Sequence, residues 1–337
     1  MRNLGRATFS VAISIAVAIP LLSPLPANAA PSLLEVQAKV RDLQEQATTA
    51  AEGAQEAKVE LAKLQKTLAT VQQQASQQGQ SVDALQKTIG AIAAQQYKSG
   101  PLSNSLELLF SSDPSLYLST AGSLESVTRK KTADLRKFSV ATQRLNATSL
   151  TVNDKLALVK AAQARFTKQL AIANAKLKEA EALLAKLTAA ERERLAKLND
   201  DQEDADQKNS LASAGKYSTV SGRGGIAIKY ALQQIGDKYV FGADGLVYWD
   251  CSGLTMRAFQ AAGVSLPHSS RAQYNYGKSV ARKDLQPGDL VFFGKPISHV
   301  GIYLGGDRML HAPRSGSRVK IAEFSLGRKP YIGARRL

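Results

Sequence analysis

The chain has 337 residues, 44 Lys plus Arg against 28 Asp plus Glu, a net charge of +16, three His and one Cys. A single cysteine excludes an internal disulfide, so the fold must rest on hydrophobic packing, and the length exceeds that of one ordinary domain. Residues 222–337 hold 17 basic and 7 acidic side chains, which gives that part a net +10 and a surface suited to an anionic polymer or lipid.

The first residues have the layout of a secretory signal over 1–29. Arg2 and Arg6 supply a positive start, 11–19 an apolar core, and Ala27-Asn28-Ala29 a small-residue cleavage site. Pro20, Pro24 and Pro26 interrupt the apolar run, which falls short of the roughly 20 residues that span a bilayer. The expected product is a secreted protein of the cell envelope or periplasmic space. Export argues against nucleic acid as the polyanion and leaves the wall or membrane surface.

Residues 31–208 are rich in Ala, Gln, Lys, Glu and Leu. From Val36, apolar positions recur in an unbroken 4-3 spacing through Val40, Leu43, Ala47, Ala50, Ala54 and Ala57 to Ile89 and Ile92, with only Gln78 polar. Such a seven-residue repeat keeps one seam on a partner helix and predicts a left-handed coiled coil. A tip segment over 99–122, broken by Ser99-Gly100-Pro101 and Asp113-Pro114, carries Leu106, Leu108, Leu109 and Phe110. It either packs on itself to close a hairpin or offers a docking surface. A second helix from near Leu124 has its seam at Val152, Leu156, Val159, Gln163, Phe166, Leu170 and Ala173. Together they predict an all-α antiparallel coiled-coil hairpin. From Asn199 the acidic run Asp200, Asp201, Glu203, Asp204 and Asp206, followed by Ser, Ala and Gly, is expected to dissolve the helix, with a flexible linker over 209–223.

Residues 224–337 are expected to form an α+β domain: helices at 226–234 and 251–262, then strands at 290–293, 300–304, 308–311 and 319–322 in an antiparallel sheet. Gly305-Gly306-Asp307 supplies a hairpin turn. Cys251 opens the second helix, where unpaired N–H groups and the dipole favour a thiolate and could receive an oxyanion. His299 and His311 lie on paired strands across the turn, near enough for one imidazole to take the thiol proton while the other orients it. A zinc site from Cys251, His268, His299 and His311 is the competing assignment, but its spacings include no close ligand pair.

Five blocks, Tyr239-Val240-Phe241-Gly242, Asp250-Cys251-Ser252-Gly253-Leu254, Leu266-Pro267-His268-Ser269-Ser270, the run from Gln286 to Phe293, and His299-Val300-Gly301-Ile302-Tyr303, resemble in order those of NlpC-type peptidoglycan endopeptidases, which are compact papain-like enzymes. With a helical hairpin in front, the chain resembles the Rip-type wall hydrolases of actinobacteria. The resemblance implies Cys251 as nucleophile, His299 as base and later acid, His311 as orienter and Tyr239 as an oxyanion donor. It places Asp250 and Ser252 in the stem-peptide pocket, although Asp250 could equally be a helix N-cap and Tyr239 a packed aromatic. It implies hydrolysis of the bond from D-isoglutamate to the diamino acid, commonly meso-diaminopimelate, with no cofactor. An FtsEX-like membrane division complex is the implied partner of the hairpin, which would restrain the enzyme until moved. The rival readings are a papain-like amidase or cross-bridge peptidase, and a non-catalytic scaffold or activator.

Overall fold

The computed structural model describes residues 32–99, 114–325, 327 and 329–337. The signal segment and the centre of the tip, including Leu106 to Phe110, fall outside them. Helix α1 (Leu33–Ser99) and helix α2 (Pro114–Ala185) run beside each other for about 100 Å. Pro114, expected to interrupt a helix, is the first residue of α2, where its missing N–H costs nothing. The two helices are antiparallel: Leu43 clusters with Ala180, Ala51 with Ala173, Arg165 pairs with Glu60 at 2.5 Å, and Lys131 bonds Gln96 at 3.0 Å.

The α1 seam buries Val40, Leu43, Ala47, Ala50, Ala54 and Ala57 as its spacing predicts. On α2 two of the expected positions are off by one residue. Ala162 is fully buried where Gln163 was expected, and Leu156 stays exposed. A small side chain at 162 lets the two Ala-rich backbones approach, which a glutamine would prevent. Thr48, Glu52 and Gln55 lie off the α1 seam and are nevertheless buried, because that stretch is held between α2 and the C-terminal domain.

No linker opens at Asn199. Helix α3 (Ala189–Ala214) begins at a capping box, with Glu191 N–H donating to Thr188 Oγ1 and Thr188 N–H to Glu191 Oε2, and runs through the acidic stretch. The carboxylates that suggested a solvated linker are ion-pair partners instead: Glu203 and Asp206, one turn apart, both bind Lys320, at 2.9 and 2.8 Å. A short 3-10 turn, Gly215–Tyr217, leads to α4 (Gly222–Leu232).

In the C-terminal domain, β1 (Lys238–Tyr239) and β2 (Tyr248–Trp249) form a small parallel pair ahead of α5 (Cys251–Ala261) and the one-turn α6 (Ser270–Gln273). Six further strands follow: β3 (Lys278–Val280), β4 (Leu290–Phe293), β5 (His299–Gly305), β6 (Arg308–His311), β7 (Lys320–Glu323) and β8 (Tyr331–Arg336). They form one antiparallel sheet in the order β3-β8-β4-β5-β6-β7. The apolar run of β4 serves two cores. Leu290 and Phe292 pack toward α4 and α5, whereas Val291 and Phe293 meet Phe324 and Tyr331 on the other face. The papain-like α+β expectation is met: a cysteine-bearing helix lies on the sheet that carries two histidines. Helix α3 covers the outer edge, where β7 would otherwise show unpaired groups. Ile321 N–H donates to Ser210 Oγ at 3.0 Å and Arg318 N–H to Glu203 Oε2 at 3.0 Å.

Candidate active site

Asp250 fixes the start of α5. Its Oδ1 accepts from Gly253 N–H at 2.7 Å and its Oδ2 from Gly242 N–H at 2.9 Å, and both oxygens lie within 2.9 Å of His268 Nε2. Its acceptors are thus taken by the chain itself, which is the N-cap arrangement. Burial opposes the His268 imidazolium, but the hydrogen bonds and charge of Asp250 outweigh it and raise the pKa. A Cβ at Gly253 would fall 2.3 Å from Ala243 O, so only glycine lets the 243 loop close on the helix end. Gln273 ties α6 to α5 by donating to Ser252 O and Pro267 O, both at 2.9 Å. Cys251, the first residue of the helix, has no exposed surface.

His299 opens β5 and His311 closes β6. Continuing the Ile302–Leu310 pairing puts His311 opposite Gly301, diagonal to His299, and the rings meet with His299 Nε2 2.8 Å from His311 Nδ1. His299 Nδ1 and His311 Nε2 are buried without hydrogen-bond partners. If Nε2–H of His299 donates to His311 Nδ1, the lone pair of His299 Nδ1 is free to take a proton. Both rings are held neutral. Burial, then His311 and Lys329, push His299 well down, and burial, with Lys320 and Lys329, brings His311 to about 3.

The thiol does not stand open to these histidines. Glu52 of α1 enters the site and is itself buried. Its Oε1 accepts from Cys251 Sγ at 3.2 Å and Ser252 Oγ at 2.9 Å; its Oε2 accepts from Ser270 N–H at 2.9 Å and Ser270 Oγ at 2.7 Å. Four donors of the C-terminal domain therefore converge on one carboxylate of the hairpin. Glu56, one turn on, pairs with Arg271, and Gln44 accepts from Arg314 at 2.9 Å. The expected thiolate bias at the helix start is overridden in this closed arrangement. Burial first, then the charges of Glu52 and Asp250, drive the Cys251 thiol well up. Burial and Asp250 likewise raise Glu52, although the bonds from Ser270 and Cys251 act the other way.

Tyr239 is buried beside the thiol and next to Thr48 of α1, but its hydroxyl closes no hydrogen bond of normal geometry. Ser252 faces Glu52. Cys251, Asp250, Ser252 and Tyr239 thus gather at the start of α5, and His299 and His311 pair on the strands β5 and β6 against which that helix packs. Among the described residues no group of His, Cys, Asp and Glu has a metal-holding arrangement, so the zinc assignment has no support in the geometry. Sequence reasoning missed Glu52, Ser270, Gln273 and the cap role of His268. The one local signal for Glu52 was its setting between Ala50, Ala51, Gly53 and Ala54, small residues that permit close approach on more than one face.

Residues 236–336 match the NlpC/P60 family. Over 109 residues the chain is 43% identical to the probable endopeptidase Rv2190c of Mycobacterium tuberculosis, an alignment covering 32% of this chain and 28% of that protein. It is 35% identical over 138 residues to the peptidoglycan endopeptidase RipA of M. tuberculosis, covering 36% of this chain and 29% of RipA. With the probable endopeptidase Cgl2188 of Corynebacterium glutamicum it shares 38% over 123 residues, 36% of this chain and 58% of that one. Among solved structures, Rv1477, a hypothetical invasion protein of M. tuberculosis, is 32% identical with a TM-score of 0.31, covering 34% of this chain and 61% of that chain. NlpC2 from Trichomonas vaginalis is 30% identical with a TM-score of 0.33, covering 36% and 49%.

Proposed function

Because residues 236–336 form an NlpC/P60 domain, we propose that the chain is an exported cysteine peptidase of the bacterial wall that hydrolyses the D-isoglutamyl to diamino acid bond of peptidoglycan stem peptides and is restrained by its own hairpin. The observation that carries this reading is Glu52 of the hairpin bonded to Cys251 at the start of α5, with His299 and His311 paired on the strands against which that helix packs.

The reaction needs Glu52 withdrawn. His299 Nδ1 then draws the proton from Cys251, and the resulting ion pair is steadied by His311 through the bond to His299 Nε2. The thiolate attacks the D-isoglutamyl carbonyl. Negative charge on its oxygen is met by backbone N–H groups at the helix start and by the unpaired hydroxyl of Tyr239. Collapse breaks the C–N bond as His299 returns its proton to the leaving amine. Water, deprotonated by His299, releases the acyl group and restores the thiol. While Glu52 is in place, the thiol proton is directed to a carboxylate rather than to His299, and the volume needed by the scissile carbonyl is filled. Wall turnover in cell separation is the setting in which such restraint has most value, with an FtsEX-like membrane complex as the mover of the hairpin.

Mass spectrometry of defined muropeptides after incubation with the full chain carrying Glu52→Ala tests the reaction. Fragments split after D-isoglutamate, absent when Cys251→Ala is added, are the expected result. Cleavage at another bond selects an amidase or cross-bridge peptidase, and cleavage surviving Cys251→Ala removes the thiol mechanism. The unmutated chain should be slower than Glu52→Ala by at least about tenfold, the equivalent of one charge-assisted hydrogen bond.

A further inference from the structure

A crevice of about 780 Å³ separates the hairpin from the C-terminal domain, lined by Gly53, next to Glu52, and by Ser298, next to His299. Its two walls differ in charge. The hairpin side presents Asp42, Glu45 and Glu56 of α1, with Arg165 of α2 turned to Glu60, and the domain side presents Arg271, Lys295 and Lys329. Arg271 is held in place from behind, with Nε and Nη2 directed at Ile297 O at 3.4 and 3.3 Å, so that Nη1 projects to the carboxylate of Glu56. Lys329 is half-buried at the foot of β8, within electrostatic reach of Cys251, Glu45 and Glu52. A half-buried cation set into the crevice wall is not a solvated surface lysine.

The crevice lies on a definite side of the chemistry. Gly294, Lys295, Pro296 and Ser298, which line it, form the connection from β4 that ends at His299. In the proposed mechanism His299 delivers the proton to the departing amine, so the leaving half of the substrate rests against this wall. That half is a diamino acid whose far end carries a carboxyl group. We infer that Arg271 and Lys329 form a carboxylate-binding subsite for the leaving diamino acid, and that α1 fills it in the closed state with Glu56 and Glu45 as stand-ins for the substrate. The inference rests on the proposed reaction for its substrate, and on the ion pair and the charged walls for its location. It also gives part of the basic excess of residues 222–337 a task at the cleft.

The test uses the full chain with Glu52→Ala and two synthetic stem peptides that differ only in whether the far carboxyl of the diamino acid is free or a carboxamide. The free acid should be preferred by about tenfold in kcat/KM, as one charge-assisted contact gives, with the difference carried by KM. Adding Arg271→Gln or Lys329→Met should bring the preference toward unity, and Arg271→Lys should restore most of it. A preference that survives both changes, or no preference at the outset, overturns the subsite. If neither peptide is cut, the hydrolase reading falls separately. The subsite is then read from protection of Cys251: the free diamino diacid should slow alkylation by iodoacetamide in Glu52→Ala but not after Arg271→Gln is added. Equal protection in the two overturns it.

Discussion

Glu52 makes the charged form of Cys251 costly, whereas the thiol, as a donor, favours the Glu52 carboxylate. Both groups are buried, burial and the negative charge of Asp250 raise both pKa values, and for Glu52 they outweigh the donors. The sign of the pH effect follows. A carboxyl whose folded pKa is raised contributes stability that is complete below its unfolded value near 4.5 and is lost as pH rises through the folded one. Glu52→Gln keeps the shape and one acceptor oxygen, exchanges the other for an NH2 donor, and carries no charge. The difference in melting temperature, Glu52→Gln minus unmutated chain, should therefore grow as pH rises from 4 to 8; a flat difference would mean that Glu52 docks fully ionised at no cost. The four donors around Glu52 explain why the closed site tolerates the charge at all. A carboxylate bonded by two hydroxyls, a thiol and a backbone N–H has its acceptors largely satisfied, and what remains is the desolvation of one charge.

At the scale of elements, α3 is the piece whose assignment changes most. Read from composition it is a linker; folded, it is the cover of β7, held through Lys320, Arg318 and Ile321. The smallest self-sufficient catalytic unit should therefore start at Ala189 rather than near Gly222. Fragment 189–337 is expected to melt at least about 4 °C above fragment 222–337, the shift that roughly 1 kcal/mol produces in a domain of this size. Equal melting points and equal solubility would make α3 a passenger. The contrast shows what sequence could convey. The strands at 290–293 and 308–311 and the helix from Cys251 were readable because the strands are short apolar runs near the Gly305-Gly306 turn and the helix follows the cap residue Asp250. Strand β8 was missed, since Tyr331–Arg336 alternates poorly and owes its place to pairing on both sides with β3 and β4. The seam of α1 was readable from its spacing. Thr48, Glu52 and Gln55 were not, because a polar residue off a helical seam looks the same whether it meets water or another domain. The histidine pair was legible from strand register, but the plug over it was a long-range contact, 199 residues away in the chain.

For the whole molecule, the break between α2 and α3 is confined to residues 186–188, and the two sides of that break have different attachments. Helix α3 is bonded to the sheet edge, whereas α1 and α2 form one antiparallel unit that touches the cleft through Gln44, Glu52 and Glu56. Release of the site is therefore expected to be a swing of the hairpin about residues 186–188 with α3 left in place. Fragment 189–337 should cleave a soluble stem peptide at least about tenfold faster than the full chain, matching the loss of the Glu52 contacts; equal rates would remove the restraint from the proposal. No helix among the described residues is long and apolar enough to cross a membrane. Position along α1 then sets the mechanical terms. Glu52 lies 19 residues from the start of α1 at Leu33, and Ser99 lies 66 residues from it, so at 1.5 Å per residue their distances from the pivot are about 28 and 100 Å. A tug at the far end moves roughly three and a half times as far as the carboxylate does, and needs roughly that fraction less force. Lifting Glu52 by the ~3 Å that breaks a hydrogen bond asks for only ~10 Å of travel at the tip, a gearing that turns a weak, long pull into a short, strong one at the thiol.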